Sequence, residues 1–287
     1  MLRSRVTRRQ LLQGGTADFM AAVIPGGVVS ADRPLRIAFL HLAPRPGDLT
    51  GNRHLVERGI DESIGLGADW ILTPELCVCG YDFAEVIGLD WILPQPDPWV
   101  RHLADTSRTN RVTLFLSHPE RDRQTDRLYN SLFVLTPEGS LAGVHRKVHV
   151  IPGSESWSSP GGDASPVALP QATTGLLICA DAYTSRLAER LKAQGAQLLV
   201  SAAAWGPGPH GPHGEWEACS KKTALPLFVC NRTGADRKLD FTDAESLVVK
   251  NGTRLMTFQS PRSAVTCVEW NLHAQDLSVA RPQTVYL

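Results

Sequence analysis

The chain has 287 residues, 43% hydrophobic and 20% charged, and its 29 basic and 29 acidic side chains cancel to zero. That balance excludes a disordered polyelectrolyte and offers no basic stripe for nucleic acid. Its length points to one large domain, and without a clean apolar run of about 18 residues no stable membrane insertion is expected.

Residues 1–31 depart from a plain globule. Thr7-Arg8-Arg9-Gln10-Leu11-Leu12 resembles a twin-arginine export motif, and a weakly apolar stretch follows. Val29-Ser30-Ala31 then places small residues where a signal peptidase could cut. Asp18 inside the apolar stretch counts against this reading. The expectation is a leader and an exported or periplasmic protein; the alternative is a cytoplasmic protein with an Arg-rich N-terminus.

Strands and helices then alternate. Leu35–Leu42 reads as a buried strand, and 52–66 as a helix with Leu55, Val56, Ile60 and Ile64 at helical spacing. A short strand over 70–73 precedes Glu75. A helix over 98–109 and a strand over 112–117 follow. Residues 128–135 and 141–147 form a strand pair joined by Pro137-Glu138-Gly139. A Ser/Gly/Pro-rich loop covers 153–166, and 174–179 is a continuous apolar strand. The helix over 185–194 stops at Gly195. A strand over 197–203, a helix over 215–225 and a strand over 227–231 come next. Residues 244–270 read as two or three antiparallel strands around Lys250-Asn251-Gly252. The main domain is expected over 32–271, with a C-terminal tail over 272–287. The pattern is that of an α/β fold with mixed sheets.

Glu75, Cys179, Trp205 and Asn231 all fall at the C-terminal ends of expected strands, where α/β sheets bind ligands. Three segments carry the chemistry: TPELCVCGYDF from Thr73, GVHRKVHVIPGSESW from Gly143 and TGLLICADAY from Thr174. They present Glu75, Lys147 and Cys179, a base, a cation and a thiol suited to nucleophilic acyl chemistry. Taken alone, each has a plainer reading: a loop carboxylate, an edge-strand lysine and a core cysteine.

The set resembles the nitrilase, or carbon–nitrogen hydrolase, superfamily. PELCVCGY resembles the family's glutamate segment, RKVH its lysine segment and LLICAD its cysteine segment; Glu155 in ESWSSPG fits a second glutamate. The resemblance covers roughly residues 34 to 270. It implies a four-layer α-β-β-α sandwich, which periodicity alone would not have chosen over a doubly wound sheet. It also implies a homodimer or larger homo-oligomer and a reaction that needs no cofactor or metal. By the same resemblance Cys179 attacks, Glu75 carries protons, and Lys147 with the Ala180 N–H holds the oxyanion, while Glu155 supports Lys147. Ala180, Tyr183, Trp205 and Asn231 are the expected pocket residues.

True nitrilases usually follow the cysteine with Trp-Glu, whereas this chain has Ala180-Asp181. That favours a small amide or N-carbamoyl compound over a nitrile. An N-acyltransferase using the same thioester, a nitrilase, and a non-catalytic scaffold on the same fold are the alternatives. Gly206-x-Gly208-x-x-Gly211 formally matches a dinucleotide fingerprint, but Pro207 and Pro209 remove donors that a phosphate would need. His210 and His213 lack partner ligands for a metal. The other five cysteines show neither disulfide nor zinc spacing.

Overall fold

Side chains along β1 (Leu35–His41) alternate between two apolar layers. Leu35, Ile37 and Phe39 enter one core, Ala38 and Leu40 another, as the two-residue period of a strand dictates. The computed structural model describes residues 33–162, 164–279 and 281–287. The export motif and cleavage site expected in 1–31 lie outside the described residues.

Helix α1 (Leu49–Gly65) begins earlier than its apolar spacing suggested, because Asp48 caps it through the Gly51 amide at 2.9 Å. Strand β2 (Trp70–Leu72) is followed by α2 (Phe83–Ile87), a helix too short to leave a periodic signal in the sequence. Helix α3 (Pro98–Asn110) starts at a proline behind the capping carboxylate of Asp97. The meander β3 (Thr113–Arg121), β4 (Leu128–Leu135) and β5 (Leu141–Arg146) completes the first half.

The second half holds β6 (Val167–Ala168), β7 (Thr173–Ile178), a 3₁₀ turn over Cys179–Tyr183, α4 (Arg186–Ala193) and β8 (Leu198–Ala203). Helix α5 (Glu215–Thr223), β9 (Leu227–Asn231), β10 (Ser246–Lys250), β11 (Thr253–Phe258) and β12 (Ala264–Asn271) follow. The segment expected as a tail carries β13 (Asp276–Leu277) and β14 (Gln283–Tyr286), both paired with β12.

Two mixed sheets result. The first runs β13-β12-β1-β2-β3-β4-β5, and the second β11-β10-β9-β8-β7-β6. The antiparallel strands expected over 244–270 divide between them: β10 and β11 form the hairpin in the second sheet, whereas β12 pairs with β1 in the first. A hairpin signal reports local pairing; it does not say which sheet receives an apolar strand buried on both faces.

One core fills the space between the sheets, with Ile37, Phe39, Trp70, Phe115 and Trp270 facing Leu176, Val200, Phe228 and Val248. Val56 and Ile60 of α1, with Val100 and Leu103 of α3, cover the outer face of the first sheet. Leu187, Leu191 and Trp216 bring α4 and α5 against the second sheet. The layers are therefore helix, sheet, sheet, helix, an α-β-β-α sandwich.

Candidate active site

The parallel strands β1–β2–β3 and β7–β8–β9 end on the same side of the sandwich. Hydrogen bonds stitch those ends together: Thr233 N donates to Leu42 O at 2.8 Å, and Glu75 N to Ala203 O at 3.2 Å. The Cys230 thiol donates across the sheets to Leu72 O at 3.1 Å. Because β3, β4 and β5 alternate in direction, β5 also delivers its last residues to this side. Glu75 and Lys147 thus arrive from the first sheet, and Cys179 from the second.

Glu75, Lys147 and Glu155 are all fully buried. Lys147 Nζ donates to Glu75 Oε1 at 2.7 Å and also to Glu155 Oε1. Glu75 Oε1 further accepts from Asn130 Nδ2 at 2.8 Å, and Oε2 from the Ala204 amide at 2.9 Å. Glu155 Oε1 accepts the Tyr81 hydroxyl at 2.9 Å, and Oε2 the Ile151 amide at 2.9 Å. One ammonium therefore stands between two carboxylates, all three buried. Burial raises the Glu75 pKa above its ordinary value; Lys147 pulls it back and the charge of Glu155 adds to the rise. Burial would depress the Lys147 ammonium, but Glu75, Cys179 and Glu155 outweigh it, and its pKa lies well above normal. Lys147 stays a cation while Glu75 is poised to carry a proton.

Cys179 opens the turn after β7, 6% exposed, with φ at 46°. A non-glycine residue in that left-handed region costs about 1–2 kcal/mol, a strain typical of functional sites. Its Sγ lies 3.9 Å from Ala204 O. Burial and the Glu75 charge push the thiol pKa well up, with Lys147 opposing them. The resting sulfur is a thiol that must lose its proton as it attacks. The remaining cysteines are buried and unpaired too; Cys179 is the one that interacts with both Glu75 and Lys147.

Two glycines hold the surrounding loops. Gly80 has φ at 74°, and a Cβ there would lie 2.8 Å from the Pro46 nitrogen. A Cβ on Gly161 would meet Arg146 O at 2.1 Å, so only glycine lets this loop close on Lys147 O through the Gly161 amide at 2.7 Å.

The expected pocket residues divide. Ala180 is buried beside Cys179, and Tyr183 is 42% exposed with its ring edge-on to Trp205 at 5.0 Å. Trp205 packs in turn on Trp216. Asn231, expected in the pocket wall, is instead a fully buried brace. Its Oδ1 accepts from the Trp205 and Arg232 amides, both at 3.0 Å, and its Nδ2 donates to Trp205 O at 2.9 Å. Both polar atoms of its amide bond to the backbone of Trp205 or Arg232, so it fixes where Trp205 stands. The Trp205–Gly214 loop is closed internally, with Trp205 Nε1 on His210 O at 2.7 Å and Gly211 N on Gly208 O at 2.9 Å. Among the described residues no cluster of His, Cys, Asp or Glu is arranged to hold a metal.

Sequence reasoning missed Asn130 and Tyr81 as partners of the two carboxylates. Asn130 had a signal, an amide inside the apolar strand LYNSLFVL. A cavity of about 420 Å³ lies against Tyr81, with Asp82, Glu85, Ser154, Lys238 and Leu239 in its wall and none of the reacting groups. Its wall reaches Glu155 through the Tyr81 hydroxyl, which also lies 3.2 Å from Ser154 Oγ.

Residues 36–262 match the carbon–nitrogen hydrolase family as a whole. The chain belongs to the carbon–nitrogen hydrolase family. Similar proteins include an (R)-stereoselective amidase of Pseudomonas sp., 28% identical over 88% of this chain and 90% of the relative. A protein named "probable nitrilase" from Schizosaccharomyces pombe is 25% identical over 86% of this chain and 90% of its own length. Among solved structures, an amidase of Nesterenkonia sp. carrying the acetamide moiety of fluoroacetamide on its active-site cysteine superposes with a TM-score of 0.75. It is 22% identical and covers 84% of this chain and 92% of its own. A nitrilase-superfamily protein of Saccharomyces cerevisiae gives a TM-score of 0.73 at 20% identity, covering 83% of this chain and 90% of its own. This carbon–nitrogen hydrolase therefore has the α-β-β-α sandwich that its motifs implied.

Proposed function

We propose that this chain is an amidase that hydrolyses small linear amides or N-carbamoyl compounds through a thioester on Cys179. The observation that carries the reading is the buried Glu75–Lys147–Glu155 chain meeting a strained thiol at Ala204. Glu75 accepts the thiol proton as Sγ attacks the carbonyl carbon. Lys147 Nζ and the Ala180 N–H stabilise the oxyanion; one such donor is worth roughly 10²–10³ in rate. Glu75 then delivers the proton to the leaving nitrogen, and the amine departs. Water attacks the thioester with Glu75 as base, which releases the acid and restores the thiol.

Mass spectrometry of the protein incubated with an amide panel tests the reading. An acyl adduct on Cys179 together with released ammonia or amine supports it; turnover without a cysteine adduct, or no turnover of any amide, overturns it. An added amine acceptor distinguishes acyl transfer from hydrolysis by its product. A homo-oligomer belongs to the same proposal, since the family resemblance implies one, and light scattering in solution tests it. Export through the twin-arginine route is also proposed, from Arg8-Arg9 and Leu11-Leu12 alone.

A further inference from the structure

The carboxylate of Asp181 is fully buried and takes no part in the proton route. Its Oδ1 accepts the amides of Val148 and His149, both at 2.9 Å. Its Oδ2 accepts the amide of Ile178 at 2.9 Å and lies 2.7 Å from His145 Nε2. Burial opposes ionisation of this carboxyl, yet the His145 hydrogen bond and charge, together with the amide donors, hold its pKa below the ordinary value. Since the carboxylate is ionised and accepts, His145 Nε2 is the donor.

These four donors come from the two segments that hold the reacting groups. Val148 and His149 directly follow Lys147, and Ile178 directly precedes Cys179. His145 lies at the end of β5, on the first sheet, whereas Asp181 lies in the turn after β7, on the second. We propose that Asp181, itself held by His145, is a positioning residue that clamps the Lys147 ammonium and the Cys179 thiol into one fixed relation.

The clamp accounts for the backbone at the nucleophile. Cys179 keeps a left-handed φ that its neighbours must enforce. The Asp181 side chain reaches back to the Ile178 N–H, one half of the reciprocal capping arrangement that fixes a tight first turn. It pins the same turn to the lysine strand. If the carboxylate moves, both reacting groups move, and misplacement by about 1 Å can cost on the order of 10²-fold in rate.

The proposal rests on the amidase reading for its rate effects, so its test also uses a readout independent of substrate. The variants are Asp181→Asn, His145→Leu and His145→Gln. Asparagine turns an amide N–H₂ toward the donors; leucine removes the histidine donor; glutamine places a nitrogen donor near the Nε2 position. Alkylation of Cys179 by iodoacetamide, the melting temperature, and kcat and KM on an amide that the wild type turns over are measured for each. We expect Asp181→Asn and His145→Leu to slow alkylation at least about tenfold and to lower kcat by about 10²-fold with KM within about threefold. His145→Gln should recover most of both. If Asp181→Asn does not fold, the His145→Leu and His145→Gln pair decides. Wild-type alkylation and kcat in folded His145→Leu, or no recovery in folded His145→Gln, overturns the clamp. A wild type that is alkylated selectively at Cys179 but turns over no amide would defeat the amidase reading and leave the clamp to be judged on alkylation alone.

Discussion

Glu75 and Cys179 are both held to one residue, Ala204: its amide donates to Glu75 Oε2 at 2.9 Å, and its carbonyl faces the Cys179 thiol at 3.9 Å. The base comes from the first sheet and the nucleophile from the second, so the residue after β8 sets their registry. With Lys147 donating to Glu75 from the other side, the three groups of acyl chemistry share one short network.

Removing any of the three should therefore stop the reaction. Cys179→Ala, Glu75→Gln and Lys147→Met are each expected to lower kcat/KM by more than about 10³-fold, while Cys267→Ala leaves turnover near wild type. Steady-state kinetics on a good amide check this. Full activity in Glu75→Gln or Lys147→Met would show that the strand-end groups are misread.

Glu75 should also govern the pH dependence of stability. Its folded pKa is raised above the model-peptide value of 4.5, so its ionisation favours the unfolded chain. Its favourable contribution is complete below that value and is lost as pH rises toward the folded pKa. Glu75→Gln cannot ionise and escapes the loss. The melting temperature of Glu75→Gln relative to wild type should grow as pH rises from about 4.5 toward neutrality. A difference that stays flat or shrinks across that range contradicts the raised pKa.

Tyr81→Phe removes one hydroxyl from Glu155 and leaves the ring packed on Phe241. A hydrogen bond to a charged group contributes about 1.5–3 kcal/mol. We expect kcat to fall roughly tenfold or more as Glu155 loosens its hold on Lys147. A change of less than about twofold in purified, folded Tyr81→Phe would show that Glu155 needs no help from this hydroxyl.

Amides should be preferred to nitriles. Ala180-Asp181 follows the nucleophile, and the Asp181 carboxylate is already occupied by four donors. Glu75 is placed to protonate a leaving nitrogen. A matched amide–nitrile pair assayed side by side should give the higher kcat/KM for the amide; the reverse order would overturn this.

Export is testable without the enzyme. A reporter fused to residues 1–31 should leave the cytoplasm, and changing Arg8 and Arg9 to Lys should retain it. A reporter that never leaves with the unaltered leader rules the route out.

The groups with chemical identity were legible in the sequence. Glu75, Lys147 and Cys179 follow recognisable strands, and strand ends gather at one side of an α/β sheet. Their partners were less legible, because Asn130 and Asp181 act through hydrogen bonds to residues distant in the chain, and no local pattern encodes such bonds. Asn231 fell at the expected strand end, but the direction of its amide depends on where Trp205 arrives. The apolar character of β12 was plain; its choice of β1 as partner was not, because both sheets end in strands open on one side. Helix α2 was too short to show a period, and β14 gains its order only by lying along β12.

The two sheets meet through large rings, such as Phe228 of one against Trp270 of the other at 5.1 Å. Lys147 and Glu75 ride on one slab and Cys179 on the opposite slab, so the thickness of that filling bears on the distance between base and nucleophile. A ring trimmed deep in the interior, far from any substrate, would let the slabs settle closer and shift base against nucleophile. Turnover then serves as a second gauge of the interior: a trimmed ring, which costs about 3–5 kcal/mol of stability, should lower turnover as well as the melting temperature.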